Sequence, residues 1–370
     1  MTTEAQDKIV SASQTTVREL TLLLLYLTRM GESLGKWLPL VWRSWKGYDF
    51  NALDALEESG FLTNSHRAKS VFLTDKGIAE AKRLGEKYGV VSDLEENKLF
   101  PKFLRAVNAL RDCCGDKKEI PPIAKSEVYN ETWMLRLTLA LINDSELDFS
   151  KIGNKRKEYA LDLMRKALQR RWISEGGLEP AFEKEGTTWT DAILGDVRIN
   201  NVSKRGIEVY PFSGGSTGIV VVEAKMGSEL APGISNSDNY NQAARNIACL
   251  AKLVTKTGNE DPSKCSFLVF APRQKIEEWK SRGAGVDDRI SRAWEIIESQ
   301  SRERKWDVPD EAFKKAVEAI KKNSAAVAWE DVISSIQCQN GADSLRDFYK
   351  KTCDLFSITP QYQDNLTTRS

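Results

Sequence analysis

The chain has 370 residues, 41% hydrophobic and 29% charged, with a formal net charge of +1. That length allows two or three domains with separate cores, and a neutral balance admits nucleic acid only through a local basic face. The apolar run "LTLLLLYL" at 20–27 is too short for a bilayer, and a single histidine (His66) with six cysteines lacking C-x-x-C spacing argues against zinc or histidine chemistry. A cytoplasmic protein with no membrane partner is expected.

Residues 15–90 read as helix, helix, helix, hairpin, helix. Thr16 and Glu19 suggest a capping box ahead of an apolar face of Leu20, Leu23, Leu24 and Leu27. A Trp-rich stretch, "KWLPLVWRSW", precedes a short amphipathic helix in "DFNALDALEESGFL" that Gly60 stops. "FLTNSHRAKSVFLT" predicts two strands around a polar tip, and "DKGIAEAKRLGEKYG" predicts a closing helix. This order resembles a winged helix-turn-helix domain over about residues 1–95. In such a domain the third helix is the usual reader of DNA. Here it carries Asp49, Asp54, Glu57 and Glu58 and no basic residue, so phosphates would repel it. Contact with a partner protein or a second copy is the expected role, and backbone contact by Arg67 and Lys69 at the tip is the alternative.

Residues 96–150 predict a helical connector, with "FPKFLRAVNALRDCC" and "ETWMLRLTLALI" separated by a loop at Pro121 and Pro122. From 151 the pattern becomes α/β. A helix rich in basic residues, including Lys155 and Arg156, leads into strand-like "TWTDAIL", a hairpin through "VRINN" and "GIEVY", and "GIVVVEA". The helix "NYNQAARNIACLAKLV" and the apolar strand "CSFLVFAP" follow, and from 286 to 370 the chain reads as helical. "SGGSTG" at 213–218 precedes a strand and lacks the phosphate-loop lysine, so a turn is expected there.

Chemistry enters with Glu-x-Lys, which occurs at 80–82, 96–98, 223–225, 278–280 and 303–305. On a helix, positions two apart diverge, whereas on a strand they share a face. Only Glu223 and Lys225 follow a strand pattern, Ile219–Val222. Asp191, with Asp196 as the alternative, could supply a second carboxylate from a neighbouring strand. Two carboxylates and the Ala224 carbonyl form an all-oxygen site suited to Mg²⁺, and Lys225 beside it could orient a water for attack on phosphorus.

"TDAIL", "IVVVEAK" and the "NQAAR" helix resemble the core of the PD-(D/E)XK nuclease superfamily over roughly residues 155–272. The resemblance implies a restriction-endonuclease-like mixed sheet flanked by helices over 151–285. It also implies Mg²⁺, replaceable by Mn²⁺, on Asp191 and Glu223, catalysis with Lys225 and Gln242, and support from Arg245. Thr190 stands where that pattern commonly has proline. Lys155 and Arg156 would suit a nucleic-acid backbone. The expected activity is phosphodiester hydrolysis of DNA, in restriction or antiviral defence by analogy. A non-catalytic nucleic-acid-binding or regulatory protein retaining this fold is the alternative.

Overall fold

The computed structural model describes residues 3–33, 40–45, 48–64, 70–90, 98–112, 114–115, 123–174, 176–182, 185–199, 207–209, 218–233, 240–257, 261–304 and 310–362. Arg67 and Lys69 at the expected hairpin tip, and the turn at 213–217, lie outside these residues. The chain divides into two compact units, 1–144 and 145–370. No helix among the described residues is long and apolar enough to cross a membrane.

The first unit opens with α1 (Thr3–Leu27), continues through strands β1 (Met30–Ser33) and β2 (Leu40–Trp45), and then α2 (Phe50–Glu58). Strands β3 (Leu62–Asn64) and β4 (Ser70–Leu73) and helix α3 (Asp75–Lys87) follow. The strands form an antiparallel four-stranded sheet in the order β1-β2-β4-β3. Leucines of α1, α2, β3, β4 and α3, among them Leu22, Leu53, Leu62, Leu73 and Leu84, bury one shared core.

Two expectations fail here. Helix α1 begins at Thr3, so Thr16 and Glu19 lie inside it and form no cap. Glu19 instead receives the Lys87 ammonium at 2.5 Å and the Tyr88 hydroxyl at 2.6 Å. The expected second helix is a pair of strands. Trp42, Trp45 and Val41 favour a pleated surface, and Gly31, Gly35 and Pro39 interrupt any helical period. The acidic helix is present, with the Asp49 carboxylate capping α2 by accepting the Ala52 N–H at 2.8 Å. The unit continues through α4 (Leu99–Arg111), two-residue strands β5 (Cys114–Gly115) and β6 (Ile123–Ala124), α5 (Lys125–Val128) and α6 (Glu131–Asp144). The helices of the expected connector therefore belong to this unit.

The second unit is a mixed α/β structure. It begins with α7 (Lys155–Leu168), β7 (Trp172–Ser174), β8 (Gly177–Leu178), β9 (Thr188–Trp189), β10 (Ala192–Gly195), β11 (Val197–Ile199), β12 (Ile207–Val209) and β13 (Ile219–Ala224). It continues with α8 (Gln242–Thr257), β14 (Ser266–Ala271), α9 (Arg273–Ser281), α10 (Val286–Ser291), α11 (Ala293–Arg304), α12 (Glu311–Asn323), β15 (Ala325–Ala328), α13 (Trp329–Ser335) and α14 (Gln339–Leu355). Its main sheet has five strands in the order β15-β14-β13-β10-β7. β7, β10 and β13 pair antiparallel, and β13, β14 and β15 run parallel. All six residues of β13 and all six of β14 are buried, as continuous apolar strands covered on both faces should be.

At the lower end of the β10–β13 pair, Gly195 (φ 117°) lies so close to Gly218 that a Cβ on it would stand 2.2 Å from the Gly218 carbonyl oxygen. The expected all-helical region 286–370 contains β15 at the sheet edge. Its residues, Ala325, Ala326, Val327 and Ala328, give no polar alternation to read and are buried throughout.

Candidate active site

β13 is central, and its last residues extend past the end of β10. Ala192 pairs with Val222, so the antiparallel register extended by one residue sets Asp191 opposite Glu223. The contact is direct: the Asp191 carboxylate accepts the Ala224 N–H at 2.7 Å. On the other side, the Lys225 N–H donates to Phe270 O at 2.8 Å. Peptide groups alternate along a strand, and one residue's N–H and C=O leave on the same side. The Ala224 carbonyl therefore opens toward Asp191. Thr190 earns its place before the aspartate by hydrogen bonding: its N–H donates to Gly176 O at 2.9 Å, a bond proline lacks.

Glu223 and Lys225 stand on one face of β13, and the Lys225 ammonium donates to Glu223 Oε1 at 2.6 Å. Gln242, the first residue of α8, donates its side-chain amide to the same Oε1. Its Oε1 accepts the Ala231 N–H at 3.2 Å, while its own N–H donates to Ala231 O at 3.0 Å. Gln242 thus clamps the 225–233 loop to the carboxylate. Burial, and then the neighbouring Asp191 charge, push the Glu223 carboxyl up to about 7, while Lys225 and Gln242 oppose the rise.

Glu223 Oε2 is buried without a hydrogen-bond partner among the described residues. An orphaned carboxylate oxygen, the Asp191 carboxylate and an inward carbonyl make a hard-oxygen donor set that fits Mg²⁺. No group of three or more His, Cys, Asp or Glu side chains converges as a metal cluster among the described residues, so a cation here would rely on two carboxylates and backbone or water oxygens.

The other expected site residues are elsewhere. Asp196 follows β10 at its opposite end and pairs with Arg170 at 2.9 Å, so the register does not bring it to Glu223. Arg245 lies one helical turn beyond Gln242, but its guanidinium donates to Gly186 O at 2.6 Å, near buried Glu185. Arg156 donates to Lys321 O at 3.1 Å, just before β15 begins. It thus sits at the amino ends of the parallel strands, whereas Glu223 sits near their carboxyl ends. Lys155, beside it, is 95% exposed and pairs with Glu158 at 3.1 Å. The basic helix therefore meets the sheet away from the candidate site, and composition alone could not orient it.

Sequence reasoning missed Trp329. Its indole N–H donates to Lys225 O at 3.2 Å, fixing the backbone that carries the ammonium. Trp329 follows β15 directly, and only the unrecognised strand could have placed it there.

Residues 13–91 match the family described as "Domain of unknown function (DUF6429)". No curated protein and no solved structure matches the chain.

Proposed function

We propose that the second unit is a Mg²⁺-dependent nuclease of the PD-(D/E)XK type acting on DNA. The observation that carries this reading is the convergence of Asp191, Glu223, Lys225 and Gln242 at the carboxyl end of a buried mixed sheet. The order helix, three antiparallel strands, helix, parallel strand in α7, β7, β10, β13, α8 and β14 also supports it.

Asp191, Glu223 and the Ala224 carbonyl would hold the ion, which when bound supplies positive charge to the phosphoryl oxygens. Lys225, held by its bond to Glu223 and by Trp329, presents an ammonium that can orient an attacking water and favour its hydroxide-like form. The water oxygen bonds to phosphorus as one P–O ester bond breaks, leaving a phosphate monoester on one end and, as a water proton passes to the departing oxygen, a hydroxyl on the other. Gln242 keeps the Glu223 carboxylate turned toward Lys225 rather than toward solvent.

In the first unit, the α2–β3–β4–α3 order supports a winged-helix-like reading with an additional hairpin, β1–β2. Its acidic α2 and the 70% exposed Phe50 favour a protein partner over DNA on that helix.

The test is cleavage of plasmid and of single-stranded DNA with Mg²⁺ by wild type, Asp191→Asn and Lys225→Ala. Wild type should cut, and both variants should lose cutting while keeping their fold by circular dichroism. Equal activity in all three, or none in wild type, would sink the catalytic reading.

A further inference from the structure

Residues 356–361, just past α14, are fastened at the same end of the sheet as the candidate site, by polar groups that the catalytic reading does not use. Helix α14 closes in a Schellman turn: the Ile358 N–H donates to Cys353 O at 3.0 Å and the Ser357 N–H to Asp354 O at 3.3 Å. Ser357 takes the left-handed position at φ 53°, where glycine is usual, so the surrounding contacts must hold it there.

Those contacts are specific. The Gln361 N–H donates to Glu330 Oε1 at 3.1 Å, and its carbonyl accepts from Arg273 Nε at 3.0 Å. The Thr359 N–H donates to Gln274 Oε1 at 3.0 Å. Glu330, 1% exposed, also accepts the Arg273 N–H at 3.0 Å and the Tyr349 hydroxyl at 2.9 Å. The Arg273 guanidinium pairs with buried Asp331. Arg273 and Glu330 lie just past the carboxyl ends of parallel β14 and β15. The lock therefore sits at the end of the sheet where Glu223 and Lys225 emerge.

Its effect is to hold Phe356, the capping residue of α14, against Gly227. A Cβ on Gly227 would lie 3.1 Å from a Phe356 ring carbon. Gly227 is two residues past Lys225, at most about 7 Å of chain. Phe356 is nevertheless 37% exposed, and neighbouring Leu355 is 44% exposed. A buried polar lock that presents an open aromatic ring beside a phosphodiester site suits a base better than a core.

We propose that Phe356 stacks on an unpaired nucleobase of the nucleic acid whose phosphodiester occupies the Asp191–Glu223–Lys225 site. The inference rests on the nuclease reading and adds a preference for single-stranded or locally opened substrate, since only an unstacked base offers its face.

The test is binding of a labelled single-stranded oligonucleotide and of a blunt duplex to the full chain without divalent metal, followed by fluorescence anisotropy. Phe356→Ala should weaken single-strand binding about tenfold and duplex binding less than twofold. Phe356→Trp should keep single-strand affinity, and Phe356→Leu should lose it as alanine does. Unchanged thermal unfolding of each variant separates stacking from a folding defect, and a variant that unfolds early is replaced in the comparison by the leucine–tryptophan pair. If wild type binds and Phe356→Ala or Phe356→Leu binds equally well, stacking is wrong while the nuclease reading stands. If wild type binds neither nucleic acid, stacking is wrong, and the nuclease reading is decided by the Mg²⁺-dependent cleavage test.

Discussion

Residues 80–82 and 223–225 both spell Glu-Ala-Lys, one inside helix α3 and one at the end of strand β13. In the helix, Glu80 ignores Lys82 and takes Arg83, three residues on, through two bonds of 2.9 and 2.6 Å. Glu278, in helix α9, likewise bonds Lys275 and Arg282 rather than Lys280. In the strand, Glu223 takes the lysine two residues on. The 3.6-residue and 2-residue periods of the backbone select the partner. Burial then sets the chemistry: the Arg83 bond holds the Glu80 carboxyl below its ordinary value, whereas burial beside Asp191 raises that of Glu223 to about 7.

The largest expected effect breaks this symmetry outright. Asp191→Ala, Glu223→Ala and Lys225→Ala should each lower Mg²⁺-dependent cleavage by roughly 10²–10⁴-fold, the scale of a lost catalytic group. Glu80→Ala and Lys82→Ala, in the same tripeptide, should leave the rate within twofold. Single-turnover rates on one plasmid substrate check both sets, and an active Lys225→Ala protein would mean that the strand copy has no more chemistry than the helical one.

The two glutamates should also give stability contributions of opposite sign with pH. A carboxyl raised in the fold, as at Glu223, favours folding below its ordinary value of 4.5 and loses that advantage as pH rises through about 7. Metal-free Glu223→Gln should therefore melt several degrees above wild type at pH 8, with the gap closing at pH 5. Adding Mg²⁺ at pH 8 should raise the wild-type melting temperature and leave that of Glu223→Gln unmoved. At pH 5.5 protons compete for the site, so the wild-type rise should shrink. A melting gap independent of pH would show that Glu223 is not held at a raised value.

Much of the candidate site was legible because its signals are local. Four apolar residues ahead of Glu223 announced a buried strand, and Asp191 stood before another core strand at a suitable separation. What was illegible depended on packing between distant segments. The Ala-Ile-Leu after Asp191 favours it over Asp196 in sequence, but the position of Asp196 beside Arg170 at the far end of β10 is visible only in the register. Arg156 and Lys155 are visible as basic, but the direction in which α7 crosses the sheet is fixed by contacts with β10, β13, β14 and β15. Strand β15 escaped because alanine favours helices when read locally, and with it went Trp329 and the Glu330 lock. In the first unit, β1 (Met-Gly-Glu-Ser) carries no apolar alternation to read, and β2 lay in a Trp-rich stretch interrupted by Pro39.

A smaller effect sharpens the role of support around the strand copy. Gln242→Ala removes the amide that holds Glu223 and the Ala231 loop, so cleavage should fall about tenfold, the order of a 1–1.5 kcal/mol hydrogen bond. Asp196→Asn, at the other end of β10, should change the rate by less than twofold. Equal losses in the two variants would mean that the site extends to Arg170, against the register.

The smallest effect belongs to the helical copy and sets the baseline for the rest. The Glu80 side chain is 26% exposed and that of Arg83 56% exposed, so water screens their pair. A double-mutant cycle of Glu80→Ala and Arg83→Ala should return only a weak coupling by chemical denaturation, because both partners face solvent. Because Glu80 is held below its ordinary value, this contribution is present above about pH 4.5 and is lost as pH falls further, the reverse of Glu223. Raising the salt to about 1 M should remove most of it, since charges in open solvent are screened within about 3 Å. A strong coupling, or one indifferent to salt, would show that burial is not what separates the two copies of Glu-Ala-Lys.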